Sequence, residues 1–238
     1  MTITYNTASI VTTDLQLHLD AANAKSYSGS GTSWTDFSAN SVGTLTGTGN
    51  SYEAVTQPPS FLYQTGDRSQ KLSISSSNPI YSAIGTGAFT YEVWANVNII
   101  TNYQYLVDLR TNDGTGQTAP LIFFSDTRRL RAWSSSTSYF DSSTIFSTGY
   151  TGWKQFAISR TSGGFNQTRI YIDGELNSTG TNNGNHAQNI TTVSVGSSSF
   201  STSVTANGYI GAVRFYRRAL SASELQQNYN AQRGRYGV

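Results

Sequence analysis

Hydrophobic and polar residues alternate over several stretches of the chain. Leu15, Leu17 and Leu19 alternate with polar neighbours, and residues 89–97 repeat this pattern over a longer run. Successive residues of a β-strand point to opposite faces of its sheet, so this period of two predicts half-buried strands. The same pattern predicts shorter strands at residues 105–109, 121–124, 130–133, 156–159 and 209–217.

Turn signals between these stretches favour antiparallel strands. Residues 169–176 predict a hairpin, because Asp173-Gly174 supplies the two positive φ angles of a tight turn. Many short strands separated by segments rich in Gly, Ser and Asn are typical of a sandwich or barrel. The 22 glycines of the chain fit that number of turns. The pattern therefore predicts an all-β fold.

One helix is predicted near the C-terminus. Ser221 and Glu224 have the spacing of a capping box, in which each side chain bonds the backbone N–H of the other residue. Leu220 and Leu225 occupy the positions of a hydrophobic staple around this cap. We expect a short helix that ends near Gly234 and packs as a cap on the end of the sandwich.

Composition narrows the class of protein. Of the 238 residues, 37% are hydrophobic, 13% are aromatic and 12% are charged, with a formal net charge of +2. Disordered chains combine few aromatic residues with high net charge, so we expect a folded chain. Cysteine is absent, which excludes disulfides and thiolate metal sites. We see no membrane helix or secretory signal and expect neither membrane nor nucleic acid as a partner.

Several segments carry more specific motifs. The first is the run 17–27, Leu-His-Leu-Asp-Ala-Ala-Asn-Ala-Lys-Ser-Tyr, which Trp34 follows. The central ones are Phe-Thr-Tyr-Glu-Val-Trp at 89–94, Trp153 with 156–160, and Tyr-Ile-Asp-Gly-Glu at 171–175. The last are residues 208–225 and 228–237, which hold the closing strand, the helix and the C-terminal segment.

Together these segments resemble the laminin-G-like, or concanavalin A-like lectin/glucanase, jelly rolls. More narrowly, they resemble the versions encoded in structural genes of tailed phages, particularly marine phages. The resemblance covers about residues 15–237. It implies an all-β, two-sheet antiparallel jelly-roll sandwich with a short C-terminal helix, formed by residues 15–238. Residues 1–14 are then an N-terminal arm or a first edge strand.

Catalytic chemistry is not expected. Glycoside hydrolases with this kind of sandwich need two carboxylates about 5 to 9 Å apart across the scissile bond. On a strand, that places acids at positions i and i+2 or i+4. We predict a non-enzyme. Of the four glutamates, Glu53, Glu92 and Glu224 have no acid at that spacing, and Glu175, which has Asp173 two residues before it, lies at the predicted hairpin turn. Of the two histidines, His18 is expected on a strand and His186 in a loop. Because serine is so abundant, a Ser-His-Asp combination could be assembled by chance and is no evidence for a catalytic triad.

Calcium is the one metal that deserves a hypothesis, because laminin-G-like and lectin sandwiches often hold it in rim loops. The candidate ligands are Asp108, Asn112 and Asp113, since calcium prefers carboxylate and amide oxygens. Arg110 interrupts this cluster at a ligand position, and Asn112-Asp113-Gly114 also has the composition of an ordinary turn. The expectation is therefore no cofactor, with calcium as the alternative.

Three functions remain open. The resemblance implies a virion structural protein, a head decoration, head-fibre or tail-fibre subunit, displayed as an oligomer or in many copies. Its N-terminal arm either contacts other virion proteins or the capsid surface, or is a frayed terminus. The second is a module that binds host surface glycan, either on the same particle or as a stand-alone domain. The third is a glycoside hydrolase, which the acid spacing disfavours.

The four tryptophans are expected to have different roles. Trp34, Trp94 and Trp153 are expected to pack, whereas Trp133 either packs at the rim or is exposed on a loop. For glycan binding, the candidates are the aromatic and amide side chains of the predicted loops. They are Tyr103, Asp108, Asn112, Trp133, Tyr139, Asn182, Asn183 and Asn185.

Overall fold

Two antiparallel sheets make up the fold, a computed structural model of the chain. It describes residues 9–38, 42–46, 51–53, 58–63, 71–74, 76, 78, 80–83, 87–98, 103–110, 121–135, 138–149, 151–162, 165–181, 190–198 and 205–238. In chain order the elements are β1 (Leu15–Asp20), β2 (Ser33–Thr35), β3 (Val42–Thr46), β4 (Ser51–Glu53), β5 (Ser60–Tyr63), β6 (Lys71–Ile74), α1 (Ile80–Ala83), β7 (Phe89–Val97), β8 (Gln104–Arg110), β9 (Leu121–Phe124), β10 (Leu130–Ser135), β11 (Ser138–Asp141), β12 (Trp153–Arg160), a 3-10 turn (Phe165–Gln167), β13 (Thr168–Ile172), β14 (Glu175–Thr179), β15 (Thr192–Val195), β16 (Gly208–Tyr216) and α2 (Ala222–Tyr236).

The described strands divide evenly between the sheets. Sheet I has the order β14-β13-β12-β7-β16-β5-β4, with β1 also paired to β16. Sheet II has the order β11-β10-β9-β8-β15-β6-β3-β2. The predicted two-sheet antiparallel sandwich and its C-terminal helix are confirmed. Each alternating stretch is a strand, whereas β2 to β6, β11 and β15 were not anticipated because they are short and carry weaker alternation.

The core lies between the two sheets. Side chains from both inner faces form one buried apolar cluster, and Phe156 of sheet I meets Phe124 of sheet II with ring centroids 5.4 Å apart. Trp34 is fully buried and contacts Phe61, so its expected packing role is confirmed. Burying aromatic rings on both sheets supplies much of the apolar area that holds them together.

The hairpin of β13 and β14 turns as predicted. Asp173 and Gly174 have φ angles of 55° and 78°, the left-handed pair that a tight two-residue turn requires. A Cβ at Gly174 would lie 3.0 Å from the Cα of Gln226, so the turn also approaches α2 closely. A glycine here therefore serves both the backbone conformation and the packing.

The helix α2 begins as predicted but ends later and lies elsewhere. The Ser221–Glu224 capping box is present, and Leu220 and Leu225 share one buried cluster. The helix continues through Gly234 to Tyr236 and ends at Gly237, whose φ of 71° forms a left-handed cap. It is also not an end cap.

Instead, α2 lies on the outer face of sheet I. The Tyr236 ring stacks on Trp94 of β7, with centroids 4.1 Å apart, and contacts Trp153 of β12. Trp94 and Trp153 thus pack, as expected, but beneath the helix. The helical face that enters this interface is half polar, which explains why the sequence pattern did not reveal it; it comprises Leu225, Asn228, Gln232 and Tyr236.

A buried polar network joins this helix to sheet I. Arg214 of β16 donates to Glu92 of β7 at 2.9 Å, and both side chains are essentially inaccessible to solvent. Asn228 of α2 and Gln155 of β12 also donate to Glu92, at 2.9 and 2.8 Å. Burial raises the pKa of Glu92, against the opposing effect of Arg214 and these hydrogen bonds.

The described end of the predicted N-terminal arm is attached to the same network. The Val11 backbone N–H donates to the Asn228 side-chain oxygen at 2.7 Å, and the Tyr216 hydroxyl donates to the Val11 carbonyl at 3.0 Å. Gln227 of α2 donates to the carbonyl of Ser9. Residues 9–14 form no strand. Residues 1–8 lie outside the described residues, so the role of the arm stays a prediction.

Replacing Gly211 by alanine should destabilise the protein. A Cβ there would lie 2.7 Å from the hydroxyl oxygen of Tyr236, whose ring is already held against Trp94. We expect the free energy of unfolding to fall by about 1–3 kcal/mol, as for other overpacked cores, measured by urea denaturation.

Gly234→Ala is the matched control. Nothing lies within 4 Å of its new Cβ, so we expect a gain of about 0.5–1 kcal/mol from helix propensity. An unchanged Gly211→Ala protein would contradict the close packing of α2.

Acid should weaken the cap of α2. Hydrogen bonds from Arg218, and then from Ser221, lower the pKa of Glu224 from 4.5 to about 2. Because this pKa is lower in the folded state, the stabilisation is complete above pH 4.5 and is lost as the pH falls toward about 2. We expect Glu224→Gln, which retains a capping acceptor, to flatten the pH dependence of unfolding within that window. The control is Glu175→Gln, which removes an exposed carboxylate with no ion pair to the described residues. Identical pH profiles for wild type and Glu224→Gln would contradict the proposed linkage.

Candidate functional site

One end of sheet II collects aromatic and charged side chains on its outer face. Across β10 and β11, Trp133 pairs with Tyr139 and Arg131 pairs with Asp141. Along β10, Leu130 and Ala132 alternate with Arg131 and Trp133. Leu130 and Ala132 are buried in the core, so Arg131 and Trp133 point away from it. The strand period of two therefore places these four side chains on a single surface.

A groove lies on this surface. It has a volume of about 210 Å³ and is lined by Tyr103, Tyr105, Arg131 and Trp133. Tyr103, immediately before β8, is 42% exposed, and Tyr139 beside the groove is 40% exposed. Large aromatic side chains usually bury most of their surface, so these neighbouring exposed rings make the groove a candidate interaction site.

The guanidinium of Arg131 is held in a fixed position. Its Nε and Nη2 donate to the two carboxylate oxygens of Asp141 at 2.6 and 2.8 Å, and its Cζ lies 4.1 Å from the centroid of the Tyr139 ring. The hydrogen bonds to Asp141 raise the pKa of Arg131 against the effect of burial. A bidentate pair of this kind fixes the orientation of the guanidinium plane as well as its charge.

The chemistry of the groove suits a small ligand with one apolar face and several hydroxyls. The rings of Tyr105 and Trp133 provide flat apolar area, and Arg131 provides a positioned hydrogen-bond donor. The volume is below the roughly 300–1,000 Å³ of pockets for drug-sized molecules, so the groove fits part of a chain-like ligand. A saccharide has both an apolar C–H face and a rim of hydroxyls.

Three of the predicted glycan ligands, Tyr103, Trp133 and Tyr139, do come together. Trp133 lies on β10, which contains the predicted strand 130–133, whereas Tyr139 lies on β11 rather than on a loop. Strand pairing, which the sequence does not state, brings residues from distant positions side by side. Tyr105, Arg131 and Asp141 were missed. Their outward alternation with buried neighbours was the signal that could have found them.

Of the other predicted glycan ligands, the structure describes only Asp108. Asp108 lies on β8 and has 0% exposure, so it is not a surface ligand for a glycan. Asn112, Asn182, Asn183 and Asn185 lie outside the described residues.

The calcium hypothesis stays a prediction, because Asp113, like Asn112, lies outside the described part of the chain. Within that part, no three His, Asp or Glu side chains gather in a metal-binding arrangement. Nor does any helix there have the length and apolar character needed to cross a bilayer.

A second cavity, of about 320 Å³, lies beside β1. It is lined by Thr12, Leu15, His18, Phe37 and Ser38. Burial, followed by the charges of Arg214 and Arg235, lowers the pKa of His18 to about 3, so its imidazole is neutral at physiological pH. This cavity offers fewer aromatic faces than the groove and no charged donor among its described lining residues.

The glutamates with described side chains have structural surroundings. Glu92 is buried against Arg214, Glu224 caps α2 and pairs with Arg218, and Glu175 is exposed at the hairpin. None of them lines the groove.

The two antiparallel sheets and the C-terminal helix define a class of protein, the jelly-roll sandwich. A model of the laminin G family described as the concanavalin A-like lectin/glucanases superfamily matches residues 66–226. The chain therefore belongs to this superfamily. No curated protein matches it significantly.

Several solved structures share the fold. Domain 4 of AbnA, a GH43 extracellular arabinanase from Geobacillus stearothermophilus in complex with arabinotriose, is 16% identical, with a TM-score of 0.65 over 91% of this chain and 98% of that domain. The binding domain of botulinum neurotoxin DC in complex with SialylT is 15% identical, with a TM-score of 0.67 over 92% of this chain and 52% of the other. Trypanosoma rangeli sialidase in complex with sialic acid is 13% identical, with a TM-score of 0.67 over 94% of this chain. This chain spans only 34% of the sialidase. At such identities the likeness shows the fold alone.

Proposed function

We propose that the chain is a non-catalytic saccharide-binding module displayed on a phage particle, where its groove adheres to host surface glycan. The observation that carries the binding part is the groove itself. Tyr105 and Trp133 offer ring faces beside a guanidinium that Asp141 and Tyr139 hold in place. A ligand that stacks on the rings meets a donor already oriented, so little ordering entropy is lost on binding.

Similar proteins support the same reading. The arabinanase domain, which matches this chain over nearly its whole length, was solved with arabinotriose, and the toxin binding domain was solved with SialylT. A groove of this size makes few contacts, so we expect weak binding by one copy. Display in many copies would then raise the overall avidity.

The virion location rests on the sequence resemblance to phage structural proteins. The attachment of residues 9–14 to α2 and β16 gives the chain preceding them a fixed starting point on the domain. In this proposal, residues 1–8 contact the capsid surface or a neighbouring subunit. A stand-alone carbohydrate-binding module is the alternative, and it uses the same groove.

A glycoside hydrolase is the less favoured candidate. That reaction needs two carboxylates on opposite sides of the scissile bond. The carboxylate next to the groove, Asp141, has both oxygens bonded to Arg131. No second acid lines the groove among the residues described.

Replacing Trp133 by alanine should weaken saccharide binding. Loss of one stacking ring is expected to lower affinity about tenfold, equivalent to roughly 1.4 kcal/mol. The measurement is glycan microarray screening of a multivalent form, followed by calorimetric titration with the strongest neutral or acidic hit. Leu176→Ala is the control, because Leu176 is 54% exposed on β14 of the other sheet. Equal loss in both variants, or no hit for the wild-type protein, would count against the groove.

Purified phage particles should contain the chain in many copies. Quantitative mass spectrometry against the major capsid protein gives the copy number. Copies in proportion to the capsid lattice indicate a head decoration protein, and a few copies in multiples of three indicate a fibre. Absence from the particle would refute the virion role and leave the stand-alone module.

A further inference from the structure

We infer that the groove selects neutral saccharides over sialic or uronic acids, although it contains an arginine. This inference rests on the proposed saccharide binding and names the substrate class of the same site. An arginine in a binding site ordinarily suggests an anionic ligand, because its fork of donors matches a carboxylate. Here that fork already has a carboxylate partner.

The partner is Asp141. Nε and Nη2 of Arg131 form one edge of the guanidinium, and both donate to Asp141, at 2.6 and 2.8 Å. The Arg131 and Asp141 side chains are 13% and 22% exposed, so solvent screens their attraction only partly. The Nε and Nη2 edge is thus occupied, and the Asp141 carboxylate offsets the charge of Arg131.

Nearby charges add little net attraction for anions. Asp126 lies close enough to contribute to the raised pKa of Arg131. Arg129, two residues before Arg131, directs its guanidinium to the backbone carbonyls of Ser142 and Ser143. Asp126 and Asp141 both offset the charge of Arg131, whereas the Arg129 guanidinium is engaged by backbone carbonyls.

An acidic sugar would face an unfavourable exchange. To bind at the Nε and Nη2 edge, its carboxylate would have to displace Asp141, and that partly buried carboxylate would lose its hydrogen-bond donors. To bind at Nη1 instead, the ligand carboxylate would have to approach Arg131 against the repulsion of the paired Asp141 carboxylate.

A neutral sugar avoids this exchange. Among the described residues, the hydrogen bonds of Arg131 use Nε and Nη2, so Nη1 can donate to a hydroxyl without breaking the pair. The C–H face of the same ring can stack on Trp133 or Tyr105, which needs no charge. The ion pair therefore acts as a rigid neutral donor.

The test compares matched neutral and acidic ligands on one protein. Calorimetric titrations would compare two pairs of probes. Lactose is the neutral member of the first pair and sialyllactose the acidic member; an arabino-oligosaccharide is the neutral member of the second pair and oligogalacturonate the acidic member. We expect the wild-type protein to prefer the neutral member of each pair about tenfold or more, a difference of roughly 1.4 kcal/mol. In Asp141→Asn the charge of Arg131 is no longer neutralised by a carboxylate. The ratio of neutral to acidic affinity should then fall about tenfold. Asp173→Asn is the matched control, because it removes the carboxylate of the Lys154 ion pair on sheet I and should leave the ratio unchanged.

A salt titration on the wild-type protein provides a second measurement that needs no variant. Raising NaCl from about 0.01 M to about 1 M shortens the Debye length from about 30 Å to about 3 Å. Neutral binding should be nearly constant over this range. Wild-type preference for the acidic probes, or a steep loss of affinity with salt, would overturn the inference while the proposed saccharide binding stands. Binding of neither probe class would overturn the proposed function itself.

Discussion

The buried ion pair between Glu92 and Arg214 is the interaction on which the outer layer of sheet I depends. It joins the central strands β7 and β16, and Asn228 extends it into the helix α2. Val11 then attaches the N-terminal segment to the same asparagine. Removal of one partner from a buried pair leaves an uncompensated charge, which typically costs about 3–5 kcal/mol. The network thus fixes how the helix and the N-terminal segment sit on the sheet.

This arrangement assigns the two outer faces of the sandwich to different tasks. On sheet I, α2 covers Trp94 and Trp153, so these large rings stabilise the fold. On sheet II, Trp133 and Tyr105 line the groove. Whether an outward-facing tryptophan packs under another element therefore depends on what covers its face, and the polar network positions the helix that covers sheet I.

In the groove, an ion pair changes which ligand charge the arginine would attract. Arg131 alone would attract acidic ligands, but Asp141 occupies its bidentate edge and cancels its charge. What remains is an oriented donor beside aromatic rings. In the proposed saccharide site, the pair of cross-strand neighbours, rather than the arginine alone, is the unit that would select the ligand.

Local patterns in the sequence determined the strands with clear alternation, the Asp173-Gly174 turn and the capping box of Ser221 and Glu224, because each depends on neighbours within a few residues. The fold class followed from the number of such strands. Only the tertiary structure decided that the polar face of α2 lies over Glu92, since its partners are more than 100 residues distant along the chain. It alone placed Tyr103 and Tyr105 beside Arg131 and Trp133, because strand order in a sheet is set by long-range pairing and core packing, which no local pattern encodes.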